Sequence, residues 1–142
     1  MSYHKKPSLT VDIFIYDDEN NFLLIKRKNN PYKDAWAFPG GFVEYGETVE
    51  HAAVREAKEE TSIDVELTKL VGVYSDPNRD PRGHTVTVVF LAKGNFDDRK
   101  ADDDAKDIDV FNFDNIKDID LAFDHREILN DIYNILKKEN KI

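Results

Sequence analysis

The chain has 142 residues, with 29 Asp and Glu against 20 Lys and Arg, for a net charge of -9. An acidic surface of that kind argues against general nucleic-acid binding, while leaving small phosphate compounds open because they need only a few convergent cations. Cysteine is absent, which excludes disulfides, thiolate chemistry and a Cys-based zinc site, and the length fits one domain over residues 1–142.

The N-terminal His4-Lys5-Lys6 is followed by an apolar run that Asp12 interrupts. It is therefore expected to be neither a signal peptide nor a membrane span, and a cytoplasmic location follows from the lack of either. Leu9, Val11, Ile13 and Ile15 alternate with Thr10, Asp12, Phe14 and Tyr16, the pattern of a half-buried strand. Asp17 to Asn21 then predicts a hairpin-like turn into a strand over Phe22 to Ile25. Ala35-Trp36-Ala37-Phe38 is a short apolar run stopped by Pro39-Gly40-Gly41, read as a strand entering a turn. Thr48 is a candidate N-cap for a helix to about Thr61, in which Val49, Ala53 and Ala57 recur at i, i+4 and i+8. Small alanines would let that helix lie close to a sheet.

In the same helix Glu56, Glu59 and Glu60 fall at i, i+3 and i+4, so they share one face. Like charges at that spacing repel, and near a helix C-terminus the macrodipole disfavours them further. A divalent cation would remove both penalties, since carboxylate oxygens suit Mg²⁺ and Mn²⁺. Helical geometry alone leaves two readings open, a metal-binding face and an unusually acidic surface. Farther on, strands fit Glu66 to Tyr74, Thr85 to Ala92 and Ile108 to Phe113. The acidic run from Asp97 to Asp107 reads as a solvated loop. Asp124-His125-Arg126-Glu127 resembles a capping box opening a last helix, with Ile128, Leu129, Ile132, Ile135 and Leu136 as its core stripe. The four histidines, His4, His51, His84 and His125, have no metal-ligand spacing.

Gly41, Glu47, Arg55-Glu56-Ala57-Lys58-Glu59-Glu60 and Ile63 closely resemble, in type and spacing, the signature of the Nudix hydrolases. One position departs from it: Ser62 stands where the family usually has glycine, at a helix end that favours the left-handed conformation. A cost of about 1 kcal/mol is expected there. The resemblance implies an α/β fold, an α/β/α sandwich around a mixed β-sheet, and Mg²⁺ or Mn²⁺ as cofactor. By the same resemblance Glu56, Glu59 and Glu60 with the Gly40 carbonyl would hold the metal, Glu47 would lie behind them and Arg55 would orient a glutamate. The general base would be Glu56 or an acidic residue of a later loop, where Asp104 is the candidate.

Ser75 to His84 carries two Asp-Pro steps and the arginines Arg79 and Arg82. Either Asp76 and Asp80 pair with those arginines to stiffen the loop, or the planar arginine forks bind phosphate. The segment resembles the Arg-Asp-Pro-Arg loop of small ADP-ribose pyrophosphatases, as Phe123-Asp124-His125 resembles their last-helix start. That branch implies hydrolysis of ADP-ribose to AMP and ribose 5-phosphate, and a homodimer by analogy. Arg79, Arg82 and Arg27 are the expected substrate cations, and Glu44 is expected to contact the substrate by meeting a polar group near the metal. Phe38 is one of several strand aromatics that would either stack on a base or belong to the core. An oxidised nucleoside triphosphate such as 8-oxo-dGTP is the alternative substrate, and a non-catalytic ADP-ribose sensor is the alternative class.

Overall fold

The computed structural model describes residues 5–101 and 105–142. Its strands are β1 (Ser8–Tyr16), β2 (Phe22–Arg27), β3 (Trp36–Ala37), β4 (Gly40–Phe42), β5 (Glu66–Tyr74), β6 (Thr85–Lys93) and β7 (Ala105–Phe111), and its helices are α1 (Val49–Thr61) and α2 (His125–Lys138). The sheet has the order β3-β2-β1-β6-β5, with β4 paired to β1 and β7 to β2. It is mixed: β1 and β6 run parallel, from Ser8 against Thr85 to Tyr16 against Lys93, and the other strand pairs are antiparallel.

Strand β1 is central, and that changes the reading of its alternation. Ile13, Phe14 and Ile15 are all buried, because both faces of the sheet are covered rather than one. On one face Val11, Ile13 and Ile15 pack with Ala52, Ala53 and Ala57 of α1. On the other, Phe14, Phe22 and Leu91 pack with Ile128, Leu129, Ile132 and Leu136 of α2. Successive side chains of a strand point to opposite faces, so an uninterrupted apolar run is what a doubly covered strand requires. The alanine stripe brings α1 against β1 and β4, which holds its acidic face at the rim of the sheet.

Helix α1 is bounded as its sequence implies. The Thr48 hydroxyl accepts the His51 N–H at 3.1 Å, and Ser62 closes the helix in the left-handed region at φ 64° and ψ 13°. Its N–H reaches the Lys58 carbonyl at 2.9 Å. The start of α2 differs from expectation, since Asp124 makes no side-chain cap bond; its carboxylate is committed to Arg79 instead. Gly40 and Gly41 also depart from the expected turn: they are strand residues paired with Asp12 and Val11. A short 3₁₀ turn, Phe96–Asp98, occupies the beginning of the acidic run, with Phe96 packed into the core.

Candidate active site

A cavity of about 470 Å³ opens between the acidic face of α1, strand β4, the loop before β6 and the start of α2. Its α1 wall is organised by one guanidinium. Arg55 Nε and Nη2 donate to the two Glu47 oxygens at 2.7 and 2.9 Å, and Nη2 also reaches the Phe42 carbonyl at 3.0 Å. Nη1 bridges Glu56 at 2.7 Å and Glu59 at 3.1 Å. A fork with five donors in fixed geometry can satisfy several carboxylates where an ammonium would act as a point charge. Glu47 is held further by the Glu44 N–H at 3.0 Å and by His51 Nδ1 at 2.6 Å. The bonds from Arg55, then that backbone N–H, hold the Glu47 carboxyl well below the usual carboxylate range, and the Glu47 bonds raise the Arg55 pKa in turn.

Glu60 faces inward and is only 5% exposed. One of its oxygens accepts the Gly40 N–H at 2.6 Å, a charge-assisted bond that ties α1 to β4. Gly41 matters for a steric reason. A Cβ there would lie 2.5 Å from the Glu56 carboxylate carbon, so the missing side chain is the space the carboxylate occupies. Among the described residues, no three carboxylate or histidine groups converge as a ready metal cluster. The donor set nonetheless fits a hard divalent cation, being carboxylate oxygen throughout. One cationic nitrogen shared by Glu56 and Glu59 also means that a single positive centre reaches both.

The opposite wall separates the two arginines of the Ser75–His84 loop. Arg79 lines the cavity and is tightly held: Nε and Nη2 grip the two Asp124 oxygens at 2.9 and 2.7 Å, and Nη1 donates to Thr85 Oγ1 at 2.8 Å. Its side chain is 5% exposed. Burial opposes its charge, but the Asp124 bonds together with the negative charges of Asp124, Asp12 and Asp80 outweigh burial and raise its pKa. Three of the five N–H donors of this fork thus lock the loop to the start of α2 and to Thr85. Arg82 lies at the mouth, 47% exposed, with Asp80 accepting at 2.8 Å. Burial pushes the Asp80 carboxyl up, but Arg82 more than offsets it and the pKa falls. Pairing of loop aspartate with loop arginine, one of the two readings of this segment, therefore holds for Asp80 and Arg82.

Arg27 also lines the cavity, donating from Nε to the Pro31 carbonyl at 2.7 Å, with its guanidinium carbon 5.0 Å from the Phe123 ring centre. Glu44 lies on the α1 side, 3.9 Å from Arg55. Phe38 follows the core reading: it borders the cavity but is only 2% exposed, with its ring packed against Phe14 and His125. The open aromatic surface is instead Phe42, 51% exposed, together with Phe123; Arg82 stands 5.9 Å from the first ring and 5.7 Å from the second. Asp104 lies outside the described residues. Asp12, Thr85, Phe42 and His125 line the cavity without having been expected there. For Asp12 a signal existed, a lone carboxylate inside an otherwise apolar strand.

The family model for the NUDIX domain matches residues 6–132. An ADP-ribose pyrophosphatase of Methanocaldococcus jannaschii is 52% identical over 125 residues, covering 88% of this chain and 72% of that protein. A bifunctional NMN adenylyltransferase/ADP ribose pyrophosphatase of Francisella tularensis, solved with AMP and a Mn ion, superposes with a TM-score of 0.83 at 32% identity, over 97% of this chain but only 43% of that one. The NUDIX domain of Shewanella oneidensis NrtR, solved with ADP ribose, gives a TM-score of 0.83 at 25% identity, covering 94% of this chain and 90% of that one.

Proposed function

This chain belongs to the NUDIX family and is a Nudix hydrolase, and we propose that it cleaves ADP-ribose at the diphosphate to give AMP and ribose 5-phosphate. The observation that carries the reading is the Arg55-centred carboxylate wall facing a cavity whose mouth holds Arg82. The names and ligands of the relatives support the choice of ADP-ribose.

A diphosphate resists water because its anionic oxygens repel a nucleophile. Mg²⁺ or Mn²⁺, when bound, neutralises those oxygens and lowers the pKa of a water molecule. Glu56, Glu59 and Glu60, with the Gly40 carbonyl, are the residues that would hold it. Arg55 holds the Glu56 and Glu59 carboxylates together on one nitrogen, and Glu47 fixes Arg55 from behind. The general base is Glu56 or the loop Asp104. Arg82 and Arg27 meet the diphosphate or its sugar, and the rings of Phe42 and Phe123 provide flat surface for a base. The same reading carries a homodimer by family analogy, and the cytoplasmic location is proposed from the sequence; no helix among the described residues is long and apolar enough to cross a membrane.

The test is a comparison of kcat/KM for ADP-ribose, NADH and 8-oxo-dGTP with Mg²⁺ present. ADP-ribose is expected to lead. Preference for 8-oxo-dGTP would reassign the substrate, and binding of ADP-ribose without turnover would make the protein a sensor.

A further inference from the structure

Two polar side chains lining the cavity, His125 buried and Asp12 partly buried, have no part in the chemistry above. His125 is 2% exposed, and its Nδ1 accepts the Phe38 N–H at 3.1 Å. A backbone amide can only donate, so Nδ1 offers a lone pair and the ring proton sits on Nε2. Nε2 faces Asp12 Oδ1 at 3.6 Å, too far for a hydrogen bond. The other Asp12 oxygen is fixed by the Thr87 hydroxyl at 2.7 Å. Both residues line the cavity, and a Cβ on Gly40 would come within 2.6 Å of Asp12 Oδ1, so the glycine leaves this oxygen uncovered.

A rigid donor and a rigid acceptor thus stand side by side, slightly too far apart to satisfy each other. A hydroxyl oxygen placed about 2.8 Å from both would accept from Nε2–H and donate to the carboxylate. Phosphate oxygens only accept and are anionic, so Asp12 repels them. We propose that Asp12 and His125 form a receptor for a sugar hydroxyl, which makes this site select a nucleoside diphosphate joined to a sugar over a nucleoside triphosphate. The inference rests on the diphosphatase reading and specifies its substrate class. Both residues act on specificity, with His125 held in its tautomer by Phe38.

The experiment compares ADP-ribose with its two terminal-ribose monodeoxy analogues, 2″-deoxy and 3″-deoxy, using wild type, Asp12→Asn and His125→Gln. Glutamine retains an acceptor for the Phe38 N–H, and asparagine an acceptor for Thr87. In the wild type, one analogue is expected to lose about 10- to 100-fold in kcat/KM, as a buried charged hydrogen-bonding site rejects a ligand lacking its hydroxyl. In either variant the discrimination is expected to fall to about 3-fold or less, chiefly through KM for the parent compound. Equal use of all three compounds by the wild type would overturn the inference, and so would wild-type discrimination surviving in both variants. The wild-type arm carries no substitution and cannot fail by misfolding. A wild type that does not cleave ADP-ribose at all would instead sink the diphosphatase reading itself, together with the inference built on it.

Discussion

Gly41→Ala separates the role of Glu56 from the stability of the fold. Gly41 lies in β4 outside the positive-φ residues, so alanine meets no backbone penalty. Its Cβ would fall 2.5 Å from the Glu56 carboxylate carbon. Contact at about 3.5 Å requires that carboxylate to retreat by about 1 Å, which breaks its 2.7 Å bond to Arg55. The clash is with the end of a flexible side chain, so the fold absorbs it. Loss of a partly exposed ion pair costs up to about 1 kcal/mol, and reduced freedom of the unfolded chain returns about 0.4–1 kcal/mol. The melting temperature is therefore expected to move by no more than about 4 °C, while misplacement of a reacting group by about 1 Å lowers kcat by about 100-fold. Gly40→Ala is the contrasting control. Its Cβ would meet the Val11 carbonyl at 2.2 Å, a backbone atom of the central strand, at an expected cost of about 3 kcal/mol or more. Calorimetry beside steady-state kinetics reads both variants. Wild-type kcat in Gly41→Ala, or equal melting losses in the two, would refute the steric argument.

Asp124→Ala leaves the buried Arg79 guanidinium unpaired and is expected to destabilise by about 3–5 kcal/mol in urea unfolding; a loss of activity without loss of stability would mean that Arg79 serves the substrate. Arg82→Ala is expected to raise KM for ADP-ribose and to destabilise by about 1–3 kcal/mol, because the buried Asp80 carboxylate loses its guanidinium partner and keeps the backbone N–H of residue 82. Ser62→Gly relieves a left-handed non-glycine residue and should stabilise by about 1 kcal/mol, seen as a higher urea midpoint. Because the folded Glu47 pKa lies below its unfolded value, its contribution is complete above the ordinary carboxylate range of about 4.3 and is lost as pH falls below it. Urea midpoints measured from neutral to acid pH should fall less steeply in Glu47→Gln than in wild type, and parallel profiles would contradict this.

The parts of the fold written in local pattern were legible. Helix α1, its Thr48 cap, the left-handed Ser62 and the carboxylate face all follow from residues near one another in the chain. What escaped depends on partners far away. The burial of both faces of β1 requires α1 and α2 to arrive from residues 49 and 125 onward, and alternation within the strand cannot announce them. Asp124 looked like a helix cap because the sequence beside it has that form, yet Arg79, 45 positions earlier, claims its carboxylate. The same pair gives Arg79 a structural partner at the start of α2 that Arg82 lacks, and sequence alone does not distinguish the two arginines. His125 joins the cavity through Phe38 and Asp12, contacts that span most of the chain.

The most direct test is chromatographic identification of products after incubating the protein with ADP-ribose and Mg²⁺, beside Glu59→Gln and Glu56→Gln. The expected result is AMP and ribose 5-phosphate in equal amounts from the wild type, with both lost in the two variants. Absence of AMP from the wild type, or undiminished AMP from both variants, would contradict a diphosphatase built on the Arg55-centred carboxylates.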